Sequence, residues 1–183
     1  FDTVDQVKVS QAIQKGCEYL RTSASPGAHR GIKHCNELIA LTLIEGGVPV
    51  GDPVVQKYLQ EMLTAPLERT YNAVLTAMVL EEVHRVKYQD RIWQCAQFLV
   101  DNQCPNGQWA YGEPTDAIKN VPTGGSRPEV ASGGAKGAKE PEFGPGGERL
   151  KPRVTRKMPV ARTRQGPAGG DNSNSQYAAL GLR

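Results

Sequence analysis

The sequence predicts an all-α protein made of stacked helical hairpins, followed by a long irregular arm. Five segments with helical hydrophobic periodicity fill the first hundred residues, and amphipathic segments alternate with heavily apolar ones. Residues 12–20 (AIQKGCEYL) resemble residues 91–99 (RIWQCAQFL), and residues 36–45 share a high apolar density with residues 71–82. Self-similarity at a spacing of roughly 35–40 residues is typical of helical-hairpin repeats. Because one hairpin cannot bury its own apolar face, neighbouring hairpins must stack.

The first three helices are predicted from apolar spacing and from the residues at their ends. Residues 5–22 place Val7, Ile13, Cys17 and Leu20 near helical spacing. Residues 35–46 are apolar around most of the helix circumference, so we expect burial on nearly all sides, and a glycine pair ends this helix. A third helix begins at residues 52–53, where Asp is the N-cap and Pro the first helical residue.

Three further helices complete the predicted domain. Residues 69–85 repeat the nearly all-apolar pattern of the second helix, and residues 88–103 return to an amphipathic pattern. The last segment, residues 171–183, begins with Asp, Asn and Ser, which are favoured N-cap residues, and continues with apolar residues at helical spacing. We therefore predict a helical-repeat domain over 1–111 with a further helix of the same domain over 171–183.

Residues 112–170 differ in composition and predict an extended basic arm. They contain 12 glycines, 8 prolines and 11 basic residues against 6 acidic ones. So long a segment without periodicity is either a solvated linker or a functional extension that wraps a partner. The basic cluster at 149–164 is the part expected to meet an acidic partner surface. Its candidate partner-binding residues are Arg149, Lys151, Arg153, Arg156, Lys157, Arg162 and Arg164.

The four cysteines leave two interpretations open. They can be buried thiols, which pack as small hydrophobic residues, or they can form disulfides, for which Cys17 with Cys35 is the first choice. These two residues lie near the facing ends of two predicted helices joined by one loop. The first residue is Phe rather than Met, which removal of a signal peptide, truncation or proteolysis would explain. Together the cysteines and this first residue favour a periplasmic or extracellular location over others.

A motif after the fifth predicted helix carries a family resemblance. Gln103, Gly107 and Trp109, preceded by Phe98, resemble the Q-x-x-x-G-x-W motif (QW motif) of the squalene-hopene cyclase and prenyltransferase repeat family. The segment DNSNSQYAALGL at 171–182 is similar to the start of a further helix in such proteins. The resemblance covers the chain outside the arm. It implies an (α/α) toroid in which inner and outer helices alternate.

Within that resemblance, the motif is expected to join neighbouring repeats. Gln103 can cap a helix end, Gly107 permits a turn, and Trp109 can lie over the next hairpin. The competing interpretation gives Trp109 and Tyr111 a place in a ligand pocket.

The chemistry of the resembled enzymes is missing from this sequence. Terpene cyclisation in the family needs a D-x-D-D acid cluster, and no aspartates here form one. The zinc site of the protein prenyltransferases needs a D-x-C pair, whereas Asp101 and Cys104 have the wrong spacing. His29, His34 and Cys35 lack the second ligand pair that zinc sites usually have. We therefore predict no catalytic residues, no metal and no cofactor in this chain.

The sequence favours a non-enzymatic helical-repeat scaffold that binds a protein partner through the arm. The alternative is a fragment of a cyclase-like or prenyltransferase-like toroid that binds an isoprenoid or another apolar small molecule. Nucleic-acid binding ranks last, because few aromatic residues interleave with the basic ones and the net charge is only +3. No apolar run approaches the roughly 18 residues of a membrane span.

Overall fold

The computed structural model describes residues 5–23, 36–115 and 153–183, and their regular structure is helical. This part of the chain contains six helices, with bounds within two residues of the predicted segments. They are α1 (Gln6–Ser23), α2 (Asn36–Glu45), α3 (Pro53–Thr64), α4 (Thr70–His84), α5 (Gln89–Asp101) and α6 (Asn172–Gly181). The all-α class is confirmed. None of these described helices is both long enough and apolar enough to cross a membrane.

The chain divides into two compact units, Phe1–Met62 and Leu63–Arg183. In the first unit, Asp52 caps α3, since its carboxylate accepts a hydrogen bond of 2.9 Å from the Val54 backbone N–H. Asp52 also pairs with Arg21, whose guanidinium lies 2.7 Å from the carboxylate. These contacts confirm that Asp52 is the N-cap of the third helix.

Burial in the first unit is lower than the sequence predicts. Of the apolar positions on α1, only Cys17 is buried, and Val7 is 65% exposed. On α2, which was predicted to be buried on nearly all sides, only Ala40 and Leu43 are buried, and Leu38 is exposed. That prediction is wrong for α2, because a pattern shows which side chains are apolar and not how many of them a neighbour covers.

In the second unit, α4 is the central helix. It is buried on nearly all sides, as its sequence predicts, and it packs against both α5 and α6. Gly181 of α6 allows a close approach, since a Cβ there would lie 3.0 Å from a methyl group of Val74. The core cluster of this unit consists of Leu67, Ala73, Val74, Ala77, Cys95, Phe98, Leu99 and Ala178.

The structure describes three of the four cysteines. Cys17, Cys95 and Cys104 are buried, and no two of these three are joined. Cys35 lies outside the described residues, so its pairing with Cys17 stays a prediction. His29 and His34 also lie outside them. No group of three or more His, Cys, Asp or Glu residues that could hold a metal ion occurs within 5–23, 36–115 and 153–183.

The predicted arm is described only at its two ends. Residues 112–115 and 153–170 contain neither helix nor strand. We call residues 153–166 the strap, because this segment runs along α5 and is hydrogen-bonded to it at several points. The remaining arm residues, with the candidates Arg149 and Lys151, lie outside the described residues.

Candidate interaction site

The site lies where α5 ends and the following loop meets the beginning of α6. Trp109 connects the two helices through three hydrogen bonds. Its indole Nε1–H donates to the carbonyl of Leu99 at 2.6 Å, in the last turn of α5. Its backbone N–H donates to Ser175 Oγ at 3.0 Å, and its carbonyl accepts from the Asp171 N–H at 2.9 Å. One residue therefore holds the end of α5 against the beginning of α6.

The other residues of the QW-type motif lie around Trp109. Gln103 and Trp109 form an isolated antiparallel bridge, and the Gln103 side-chain amide donates to the carbonyl of Gly107 at 3.1 Å. Gly107 adopts φ +88°, the left-handed region that glycine enters without strain. Phe98 is fully buried in the core cluster. Gln103 therefore closes the turn before Trp109, and its side chain does not cap the end of α5 as expected.

Tyr111 and Trp109 occupy different surroundings. The Tyr111 side chain is 69% exposed, and its carbonyl accepts a hydrogen bond of 2.7 Å from the Thr70 N–H. Tyr111 lines a cavity of about 800 Å³, and Trp109 does not. Four charged residues line the same cavity, namely Glu68, Arg69, Asp101 and Glu113. Such a lining does not suit an isoprenoid, because pockets for apolar ligands are predominantly hydrophobic.

Asp101, the last residue of α5, is a buried carboxylate with three side-chain donors. It is 1% exposed. Oδ1 accepts from Gln97 Nε2 at 2.7 Å and from Thr163 Oγ1 at 2.5 Å, and Oδ2 accepts from Thr115 Oγ1 at 2.9 Å. A buried charge is tolerated when its lone pairs are satisfied in this way. Asp101 thus joins α5 to both described ends of the arm.

Asp101 is also the last member of a row along α5. Gln89, Trp93, Gln97 and Asp101 recur every fourth residue and so lie on one face of the helix; we call them the α5 row. Each member hydrogen-bonds to the strap. The Gln89 side-chain amide donates to the carbonyl of Arg156, and the Trp93 indole N–H donates to the carbonyl of Pro159 at 2.8 Å.

The third and fourth members make the densest contacts. The Gln97 side-chain amide donates to the carbonyl of Ala161 at 3.1 Å, and its Oε1 accepts from the Ala161 N–H at 2.8 Å. A single amide side chain therefore pairs with the strap as a neighbouring strand would. Beyond Thr163, the Gln165 N–H donates to the carbonyl of Asp101 at 2.7 Å, and the Gly166 N–H donates to the carbonyl of Gln103 at 3.2 Å.

The strap presents most of its side chains to solvent. The five described partner-binding candidates, Arg153, Arg156, Lys157, Arg162 and Arg164, are all exposed. Arg156 pairs with Asp90 at 2.8 Å, in a contact that solvent reaches from both sides. Arg164 has φ +47°, a conformation that turns the chain between Thr163 and Gln165. Val154 and Val160 are exposed too. The described candidates thus share one backbone-anchored segment.

The N-terminus of α6 is capped by Asp171. Its Oδ1 accepts from Ser173 Oγ at 2.6 Å and from the Asn174 N–H at 2.8 Å. These hydrogen bonds stabilise the ionised carboxylate and so lower the pKa of Asp171 to about 2. The hydrogen bond from Ser173 has the largest effect. The cap therefore stays charged over the physiological pH range.

No protein-family model, no curated protein and no solved structure matches this chain. The cyclase-like and prenyltransferase-like resemblance of the QW-type motif therefore stays a proposal.

Trp109 and the basic residues of the strap were predicted from the sequence as site candidates, and the α5 row was not. A signal for that row was present, since Gln89, Trp93, Gln97 and Asp101 form a stripe of hydrogen-bonding side chains at helical spacing on a predicted amphipathic helix. Such a stripe ordinarily indicates a solvated helix face. Here part of it is buried, with Gln97 only 2% exposed.

Proposed function

We propose that this chain is a non-enzymatic helical-repeat scaffold that binds a protein partner, with the strap as the contact surface. The observation that supports the proposal is the orientation of the strap. Its backbone is hydrogen-bonded to α5, while its basic side chains remain exposed. A segment held by its backbone keeps its side chains available for a second surface.

The exposed side chains define the chemistry of the partner. Arg and Lys on the strap favour a surface that carries Asp and Glu, and electrostatic complementarity of this kind raises the association rate and selects among partners. Val154 and Val160 add exposed apolar area within the same segment. The partner surface is therefore expected to be acidic, with apolar patches between its charges.

The test compares two triple variants with the same change in net charge. Arg153, Lys157 and Arg162 are replaced by Gln in the first variant, and the exposed Lys8, Lys15 and Lys57 are replaced by Gln in the control. Tagged full-length chains are isolated from the native host, and the co-purifying protein is identified and reconstituted with purified chain. We expect the strap variant to bind this partner at least about 10-fold more weakly, and the control to change by less than about 2-fold.

Salt dependence supplies a second criterion. Added salt should weaken the wild-type complex, and the strap variant should respond less, because contacts between exposed charges are screened by salt. Equal losses in the two triple variants would instead indicate a general effect of net charge. That result would reject the strap as the contact surface.

The second candidate is a fragment of a cyclase-like or prenyltransferase-like toroid that binds an apolar ligand. The observation that favours the toroid is the hydrogen-bonded arrangement of Gln103, Gly107 and Trp109, residues named by the family motif. The charged cavity lined by Tyr111 does not support the apolar ligand. Titration with a farnesyl-chain fluorescent probe tests this candidate. Saturable binding competed by a second isoprenoid would support it, and binding no stronger than to an unrelated helical protein would reject it.

A further inference from the structure

We propose that the α5 row is a peptide-binding site for an extended main chain that carries a hydroxyl side chain opposite Asp101, and that residues 156–165 are its ligand in cis. The α5 row recognises the segment itself, whichever partner protein the exposed side chains of that segment meet.

The contacts of the row are directed mainly at backbone atoms. Carbonyl groups at positions 156, 159 and 161 accept hydrogen bonds from the side chains of Gln89, Trp93 and Gln97. The N–H of Ala161 donates to Gln97 and the N–H of Gln165 donates to the Asp101 carbonyl. Because every residue offers a backbone carbonyl and every residue except proline offers an N–H, such a site tolerates variation in most ligand side chains.

One contact with a buried group is specific to a side chain. The Thr163 hydroxyl donates to Asp101 Oδ1 at 2.5 Å, and Asp101 is 1% exposed. Hydrogen bonds to a buried carboxylate are stronger than those between neutral groups. The other side-chain contact, between Arg156 and Asp90, is exposed and therefore contributes little. The ligand class is accordingly an extended peptide with Thr or Ser at the position of Thr163.

The contacts also fix the register of the ligand. Residues 159, 161 and 163 each make a hydrogen bond to α5, at intervals of two residues, before the chain turns at Arg164. This period of two is that of an extended chain lying on a surface. A slip by one residue would remove the hydroxyl from Asp101, so the buried carboxylate selects one register.

The site must be vacated before a ligand in trans can be measured, because a covalently attached segment has an effective concentration in the millimolar range. We therefore replace residues 153–165 of the full-length chain by a Gly/Ser segment of the same length. A fluorescent synthetic peptide with the sequence of residues 153–166 is added, and its anisotropy is recorded. We expect saturable binding that excess unlabelled peptide reverses.

Variants of the peptide separate recognition of the hydroxyl and backbone from attraction between charges. The peptide with Thr163→Val should bind about 10-fold more weakly, since Asp101 would lose a donor. The peptide with Arg153, Lys157 and Arg162 replaced by Gln should bind within about 2-fold of the original. Neither change can affect the folding of the receptor chain. Gln97→Ala in the receptor should weaken binding of both peptides.

Two outcomes would overturn the proposal. One is the absence of saturable binding by a receptor whose circular dichroism matches that of the wild type. The other is binding that follows the peptide charge and ignores Thr163. No partner protein is present in this assay. A failure to bind the peptide would therefore not reject the proposed scaffold function, which the two triple variants test separately.

If the chain with the Gly/Ser replacement does not fold, amide hydrogen exchange on the full-length chain with its own strap gives a second measurement. Thr163→Val should accelerate exchange at the Ala161 and Gln165 N–H groups together, by about 10-fold, because both belong to one bound segment. Thr155→Val, at an exposed position of the strap, is the matched control and should leave both rates unchanged. Unchanged rates in Thr163→Val would overturn the proposal.

Discussion

At the scale of single residues, Asp101 makes the contacts whose loss is the most costly in the described site. Gln97, Thr115 and Thr163 all donate to its carboxylate, which is buried. Asp101→Ala would leave the buried Gln97 amide without one acceptor and would remove the hydrogen bonds from Thr115 and Thr163, so we expect the free energy of unfolding to fall by about 1–3 kcal/mol. Urea denaturation followed by circular dichroism measures this loss.

The control for that variant is Asp90→Ala. Asp90 is an acidic residue of the same helix, and both Asp90 and its ion-pair partner Arg156 are exposed. Exposed ion pairs contribute about 0–1 kcal/mol, so this variant should differ little from the wild type. A loss as large in Asp90→Ala as in Asp101→Ala would show that general charge on α5, and not the buried hydrogen bonds, determines stability.

Asp171 gives a pH dependence whose sign follows from its lowered pKa. The pKa is about 2 in the folded chain against an ordinary 3.8, so the ionised cap stabilises the fold above about pH 4. This contribution is lost as the pH falls through about 2. We therefore expect the difference in urea midpoint between the wild type and Asp171→Asn to shrink between pH 5 and pH 2. Ser173→Ala, which removes a donor to the carboxylate, should shift the loss to higher pH.

At the scale of helices, the approach of α6 to the loop after α5 depends on Gly170. A Cβ at this position would lie 2.2 Å from the carbonyl oxygen of Trp109, which is a backbone atom. Gly170→Ala must therefore separate the two segments, and we expect a loss of about 1–3 kcal/mol in urea denaturation. Gly169→Ala is the matched control, because its Cβ would meet only Asn106 Nδ2, at 3.6 Å. Similar losses in the two variants would contradict this account.

Helix positions could be predicted from the sequence because their signals are local. The Asp52-Pro53 pair and the Asp171 cap mark helix starts through contacts within a few residues, and the structure contains both caps. Burial could be predicted for α4 and not for α2, although both are strongly apolar. Apolar density identifies a helix that can be buried, while the extent of burial depends on elements distant in sequence.

The candidate site was only partly predictable for the same reason. Gln103, Gly107 and Trp109 are close in sequence, so a short motif could indicate their association. The contact between Gln97 and Ala161 joins residues 64 positions apart, and no local pattern specifies that pairing. The composition of the arm suggested only an extended basic segment, without the backbone hydrogen bonds that fix its register.

At the scale of the whole chain, one carboxylate receives hydrogen bonds from both sides of a long stretch of sequence. Thr115 donates to one oxygen of Asp101 and Thr163 to the other. We therefore expect these hydrogen bonds to keep the two threonines together without covalent continuity between them. A chain cleaved once between Thr115 and Arg153 should remain a folded two-piece protein, its C-terminal piece retained by the strap and by the packing of α6 on α4. Separately produced pieces would then serve as a complementation pair.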